Sequence, residues 1–171
     1  MARAKMHPTD TAPVIRWGGG RPELINMRWG FEPANGGEPV INIRAETADV
    51  SSNRCLIPAS DFELFTGADY PKRRWRIAVK GEPLFFFAGL WRSASAAWPL
   101  SYAALTIEAA PDLKPLTDRQ MALIRASDAA TWLTSVELAS GLLKPLPPGS
   151  YEIEREHAAP GRVRRRRIDP G

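Results

Sequence analysis

Prolines and glycines are scattered along the whole of this chain, sixteen of the one and thirteen of the other, and they leave only short segments between turn-forming positions. Short segments joined by turns suit strands better than long helices. The expected fold is therefore a sheet-rich α+β domain with a few helices. At 171 residues the chain is long enough to bury a substantial core as one domain. It carries no internal repeat. Its 44% hydrophobic and 25% charged residues are ordinary globular values, which argues against a disordered, fibrous or coiled-coil protein.

Residue patterning places the elements. Ala12 to Arg16 reads as a strand, Trp17 to Pro22 as its turn, and Glu23 to Trp29 as the returning strand. After a loop from Pro33 to Pro39, Val40 to Arg44 is extended, and strand alternation puts Asn42 and Arg44 on one face. Arg54 to Pro58 and Asp61 to Phe65 form a further strand pair, followed by a loop from Thr66 to Pro71. Arg74 to Lys80 alternates, and Leu84 to Leu90 is an apolar run suited to a buried central strand, with Leu100 to Ala109 as its neighbour. Ser127 is the expected N-cap of a helix from Asp128 to Thr134 that turns Ala129, Trp132 and Leu133 to one side. Ser135 caps a second short helix reaching Leu143 and stopped near Pro145.

Several classes of function are disfavoured. No apolar run approaches the roughly 18 residues that span a bilayer, and Met1 to Pro13 lacks a signal-peptide core, so a cytoplasmic protein without membrane contact is expected. The single Cys55 cannot form an intramolecular disulfide or a multi-thiolate metal site. His7 and His157 lie at opposite ends of the chain, so no metal and no cofactor is expected. The net charge of +4 and the pI near 9.6 are compatible with a polyanionic partner without requiring one. Much of the excess lies in Arg162 to Arg167, which divides the chain into a folded body over residues 1–155 and a basic tail over 156–171. That tail is either a solubilising segment or a phosphate-attracting arm.

Five short motifs follow in order: Met27-Arg28-Trp29-Gly30-Phe31, Asn42-Ile43-Arg44-Ala45-Glu46-Thr47, Arg54-Cys55-Leu56-Ile57-Pro58-Ala59, Ala88-Gly89-Leu90-Trp91 and Thr117-Asp118-Arg119-Gln120-Met121. Together, over about Met6 to Tyr151, they resemble the SRAP family, the SOS response-associated peptidases that attach covalently to abasic sites in single-stranded DNA. The resemblance implies a mixed, mostly antiparallel, barrel-like sheet with flanking helices, and a monomer. It also implies a cytoplasmic protein, nucleoid-associated when bound to DNA. Members begin Met-Cys, and the amine and thiol of that cysteine capture the sugar aldehyde as a thiazolidine. This chain begins Met1-Ala2-Arg3.

The resemblance also assigns roles residue by residue. Asn42 matches an asparagine that orients an N-terminal amine or the opened sugar, and Arg44 matches an arginine on the phosphate backbone. Arg119 is a further phosphate contact, unless it forms a local ion pair with the preceding aspartate. Trp29 and Gly30 match a segment with a base-stacking aromatic, and Pro8 stands where the family has a wedge at the strand-to-duplex junction. Core packing is the other reading of Trp29, and a satisfied strand-end asparagine the other reading of Asn42. Trp91 and Trp132 are assigned to the core.

Two catalytic positions depart from the pattern. Leu64 stands in the place of the family's glutamate, with Glu63 one residue early, and a one-residue shift in a strand reverses a side chain's face. Only a bulge would re-aim Glu63 into the pocket. Thr117 replaces a histidine, so a group titrating near neutral pH gives way to a hydroxyl that does not. Cys55, whose nitrogen lies in a peptide bond, cannot form a thiazolidine and reads as structural.

Three outcomes stay open on these residues. The chain starts upstream; or it is a diverged member in which crosslinking and self-processing are impaired; or an exposed N-terminal amine forms a Schiff base with an abasic aldehyde. The expected partners are single-stranded, junction or abasic-site DNA. The alternative is a non-catalytic nucleic-acid-binding module working through Arg44, Arg119 and Trp29.

Overall fold

The computed structural model describes residues 5–157. Along the chain run the strands β1 (Thr11–Gly18), β2 (Arg21–Trp29), β3 (Asn42–Arg44), β4 (Arg54–Ala59), β5 (Phe62–Thr66), β6 (Arg73–Val79), β7 (Phe85–Arg92), β8 (Ser101–Glu108), β9 (Arg119–Met121) and β10 (Leu123–Ile124). Two short helices follow, α1 (Ala129–Thr134) and α2 (Val136–Ala139), and then β11 (Tyr151–Glu156). The fold is α+β, as the residue pattern anticipates, with the mixed, mostly antiparallel sheet that the resemblance implies.

β1 and β2 pair from Thr11↔Arg28 to Gly18↔Arg21 across a loop of just Gly19 and Gly20. Both glycines have positive φ, 60° and 79°, the type I′ geometry whose twist matches the flanking strands. β4 pairs antiparallel with β1, β7 with β4, and β8 with β7, while the start of β8 lies parallel to the end of β2. These pairings close a ring. Where β2 leaves the edge of β8, the chain loops out and returns as β3, which pairs with Ala104, Leu105 and Thr106. On the other flank β7 and β8 part beyond Gly89↔Ala104, and β9 and β10 occupy the gap. A separate three-stranded sheet, β11-β6-β5, covers one side.

Side-chain alternation along β7 sorts the core. Phe85 and Phe87 point into a cluster with Phe62, Ile77, Leu113 and Tyr151 under the three-stranded sheet. Phe86 and Ala88 point the other way, into a cluster with Leu105, Trp132 and Leu133 beneath the helices. Val14, Met27, Cys55 and Tyr102 fill the ring itself. Gly89 sits where strand meets strand most closely: a Cβ there would lie 2.9 Å from both the Ala103 carbonyl oxygen and the Cys55 sulfur. Burial pushes the Cys55 thiol well above its ordinary pKa, and such a thiol is inert.

Some local expectations need correction. Ser127 lies within a 3₁₀ turn, Ala126–Asp128, and Asp128 precedes α1 without a side-chain capping bond. Ser135 does cap α2, its hydroxyl accepting from the Leu138 N–H at 3.2 Å. Leu84 is half exposed and outside β7, because the turn before it lifts it off the sheet. Trp132 is fully buried, but Trp91 is only half-buried, with the Arg16 guanidinium 4.5 Å above its ring. The run Arg162 to Arg167 lies outside the described residues.

Candidate nucleic-acid interface

β3 is the terminal strand of the larger sheet, so one of its backbone edges has no strand beside it among the described residues. Its central residue, Ile43, packs inward against the core under the helices. Alternation then turns Asn42 and Arg44 outward, and both are exposed. They stand in register with Ala104 and Thr106 of β8.

A 3₁₀ turn, Ala45–Thr47, follows β3 at once and carries Glu46 back toward the sheet. There it meets Arg119 from β9. Nη1 and Nη2 of Arg119 donate to Oε1 and Oε2 of Glu46 at 2.9 and 2.8 Å, and Nη2 also donates to the Thr106 carbonyl at 2.7 Å. The Arg119 hydrogen bonds hold the Glu46 carboxyl at about 2, helped by the nearby charge of Arg44. Arg119 thus pairs with Glu46 and not with its neighbour Asp118. Arg44 forms no ion pair among the described residues.

Thr117 is half-buried, and its hydroxyl donates to the Arg119 carbonyl at 2.8 Å, fixing the entry to β9. Its N–H donates to the Leu113 carbonyl at 3.0 Å, so it ties the preceding turn to the strand. Glu63 belongs to the other sheet. Phe62 and Leu64 face the core, and Glu63 on the opposite face accepts from Lys5 Nζ at 2.6 Å with Arg74 Nη1 3.9 Å away. It forms part of a ladder of ion pairs with Arg74–Glu156 and Arg76–Glu154. No bulge brings it back, since β5 pairs with β6 without interruption from Phe62↔Ile77 to Thr66↔Arg73.

Pro8, Trp29 and Gly30 come together at the end of β2. Pro8 is exposed in the turn before β1, and the Thr9 N–H after it donates to the Trp29 carbonyl at 2.9 Å. Trp29 stacks parallel to Tyr102 at 6.3 Å, and its indole N–H donates to the Ile41 carbonyl at 3.0 Å, linking β2 to the start of β3. Gly30 is buried with φ 128°, and a Cβ there would meet Pro39 at 2.8 Å. Only glycine suits that crossing.

The structure therefore gathers Trp29, Asn42, Arg44 and Arg119 along one side of β8 and its neighbours, holds Pro8 and Gly30 beside Trp29, and leaves Glu63 on a different sheet. Two members of this side escape a reading of the sequence. Thr106 has no distinguishing motif. Glu46 was recognisable as the third polar residue at alternate spacing after Asn42 and Arg44, but its partner is 73 residues away. Among the described residues no helix is long and apolar enough to cross a membrane, and no three His, Cys, Asp or Glu side chains group as metal ligands.

The sequence matches the family model described as SOS response associated peptidase (SRAP) over residues 1–157. No protein among the curated proteins matches significantly. Solved structures do. A protein from Bordetella bronchiseptica is similar with a TM-score of 0.77 at 22% identity, covering 92% of this chain and 90% of its own. A phage-related protein from the same organism has a TM-score of 0.72 at 20% identity, covering 90% and 81%. A protein from Bacteroides thetaiotaomicron has a TM-score of 0.72 at 18% identity, covering 87% and 75%. At these identities the likeness concerns the fold.

Proposed function

This chain belongs to the SRAP family, SOS response associated peptidases linked to DNA damage, and from that premise we propose that its β3 side binds single-stranded or abasic-site DNA. The observation that carries the reading is the outward pairing of Asn42 and Arg44 on an edge strand, with Arg44 free of any ion pair among the described residues. A guanidinium held on a rigid strand and outside any ion pair among the described residues is a ready donor to a phosphate oxygen. Asn42, one strand period away, offers both donor and acceptor to a sugar or an exposed base edge.

Binding without efficient covalent capture is the form of this activity that the side chains support best. Covalent attachment to an aldehyde needs proton transfers. The Thr117 hydroxyl is engaged with the Arg119 carbonyl and does not titrate near neutrality, and the Glu63 carboxylate is engaged with Lys5 on the other sheet. We assign no metal or cofactor to this activity, and we take the active species to be a monomer acting in the cytoplasm. The body, whose last strand ends at Glu156, would supply the interface, and the basic tail beyond it a supplementary electrostatic contact.

Incubation of the protein with abasic single-stranded DNA, followed by a denaturing gel, tests the reading. The expected result is retardation on a native gel that is weakened by salt, with little or no heat-stable adduct. A quantitative heat-stable adduct would show efficient crosslinking. A band trapped only by borohydride would show an imine. Absence of any retardation would contradict DNA binding altogether.

A further inference from the structure

A cavity of about 330 Å³ opens between the loop after β2, the loop after β7 and the first residue of β8. It lies on the other side of β8 from Asn42 and Arg44, and adjoins the Gly30 end of that interface through Trp98. Ser101, in its wall, and Ala104, the partner of Asn42, are three positions apart on β8 and so face opposite sides of that strand. Glu32, Arg92, Ser93, Ser95 and Trp98 form most of the rest of the wall.

The wall is held in place before any ligand arrives. The Trp98 indole N–H donates to the Gly30 carbonyl at 3.0 Å, and the Arg28 guanidinium lies 4.3 Å from its ring centroid. The loop beneath is fixed by Ser95, whose hydroxyl accepts from the Ala97 and Trp98 N–H groups at 3.3 and 3.1 Å. With its only polar atom engaged and one ring face under Arg28, Trp98 leaves its remaining carbon surface to the cavity. Arg92 lies 4.1 Å from the Phe31 centroid and, like Arg28, forms no ion pair among the described residues. Arg16, Arg74, Arg76, Arg119 and Arg125 each face a carboxylate. A guanidinium laid on a ring keeps its in-plane N–H donors for an anion.

A fixed aromatic surface, an unmatched cation, a carboxylate and hydroxyls around a small hollow form a specific combination. Ligand sites run from roughly 300 to 1,000 Å³, so this one admits something small. We infer that the cavity is a nucleotide-binding site, in which a base lies against Trp98 and its phosphate meets Arg92. Glu32 is the acceptor for a sugar hydroxyl or an exocyclic amine. The nucleotide comes either free or as one unit of a strand, and the chemistry recognised is the same.

Calorimetric titration of the intact protein with adenosine 5′-monophosphate and with adenosine tests this. The monophosphate should bind about tenfold more tightly than the nucleoside, the effect of one charge-assisted contact. Arg92→Gln, at an exposed position, should abolish that difference, while Asn42→Ala with Arg44→Gln should leave monophosphate binding unchanged. The inference and the β3 proposal therefore fail separately. An oligodeoxyadenylate that competes with the monophosphate identifies a strand as the source of the nucleotide, and one that does not compete identifies the free nucleotide. Equal affinity for monophosphate and nucleoside, undiminished monophosphate binding by Arg92→Gln, or no heat of binding at millimolar ligand each overturns the inference.

Discussion

Glu46 and Arg119, 73 residues apart in the chain, meet in two parallel hydrogen bonds of 2.9 and 2.8 Å. The pair joins the motif that begins at Asn42 to the motif that begins at Thr117, and Thr106 of β8 completes the contact by accepting a further bond from Arg119 at 2.7 Å. A bidentate fork is the strong form of such a pair. It fixes the turn that follows β3, and so the strand that presents Arg44.

This contact makes stability depend on pH in a definite direction. The Glu46 carboxyl is lowered from 4.5 to about 2 in the folded protein, chiefly by the Arg119 hydrogen bond. A depressed carboxylate contributes stability above its unfolded value and loses that contribution as pH falls toward its folded value. Between pH 4.5 and about 2 the melting temperature should therefore fall more steeply for the native sequence than for Glu46→Gln. Parallel slopes for the two proteins would show that the pair does not contribute.

The same substitution has an opposite effect on binding. With Glu46→Gln the Arg119 fork loses its carboxylate and is available to a phosphate beside Arg44. The plot of log affinity against log salt for a single-stranded oligonucleotide should steepen by about 0.7, the increment for one more phosphate on a single strand. An unchanged slope would place Arg119 away from the strand.

Arg54 is the least expected cation of the fold. It is 7% exposed, and its guanidinium donates to the Trp132 carbonyl at 2.6 Å and the Val50 carbonyl at 2.8 Å. It thereby satisfies the Trp132 carbonyl, near the end of α1, which the helix leaves unpaired, together with a carbonyl of the loop before β4. Arg54→Met should lower the unfolding free energy in urea by about 3 kcal/mol, from the buried acceptors left without donors. A loss under about 0.5 kcal/mol, typical of a surface site, would refute this role.

Gly89 and Cys55 make a second structural test. A methyl group at Gly89 would press on the Ala103 carbonyl and the Cys55 sulfur, each 2.9 Å from it. Gly89→Ala should therefore destabilise the fold by about 1 to 3 kcal/mol. In the native protein Cys55, fully buried, should react with a thiol reagent no faster than the protein unfolds. Rapid labelling without unfolding would contradict the packing described here.

The sequence discloses those parts of the fold that are locally encoded. The β1–β2 hairpin is legible because Gly19 and Gly20 can take the positive φ that its tight turn needs. The outward face of Asn42 and Arg44 is legible because alternation alone decides it once Ile43 is inside. β9, β10 and β11 are not legible. The first two span three and two residues and carry no pattern, and their existence depends on the gap between β7 and β8. β11 is mostly charged and joins its sheet through partners on β6 more than seventy positions earlier. Its first residue is secured by Gln120, whose amide donates to the Tyr151 hydroxyl at 3.0 Å. From the sequence Arg119 is open to either a phosphate or Asp118, and tertiary contact supplies Glu46 instead. Arg54 read as an ordinary strand residue because the carbonyls that hold it come from distant segments.

The central claim, that the β3 edge is a phosphate-binding surface for unpaired DNA, is tested most directly by the salt dependence of binding to an undamaged single-stranded oligonucleotide. The native protein should bind with affinity falling linearly on a log–log plot, and Arg44→Gln should flatten the slope by about 0.7 while lowering affinity at every salt concentration. Identical slopes and affinities for the two proteins, or no binding by either at low salt, would contradict it.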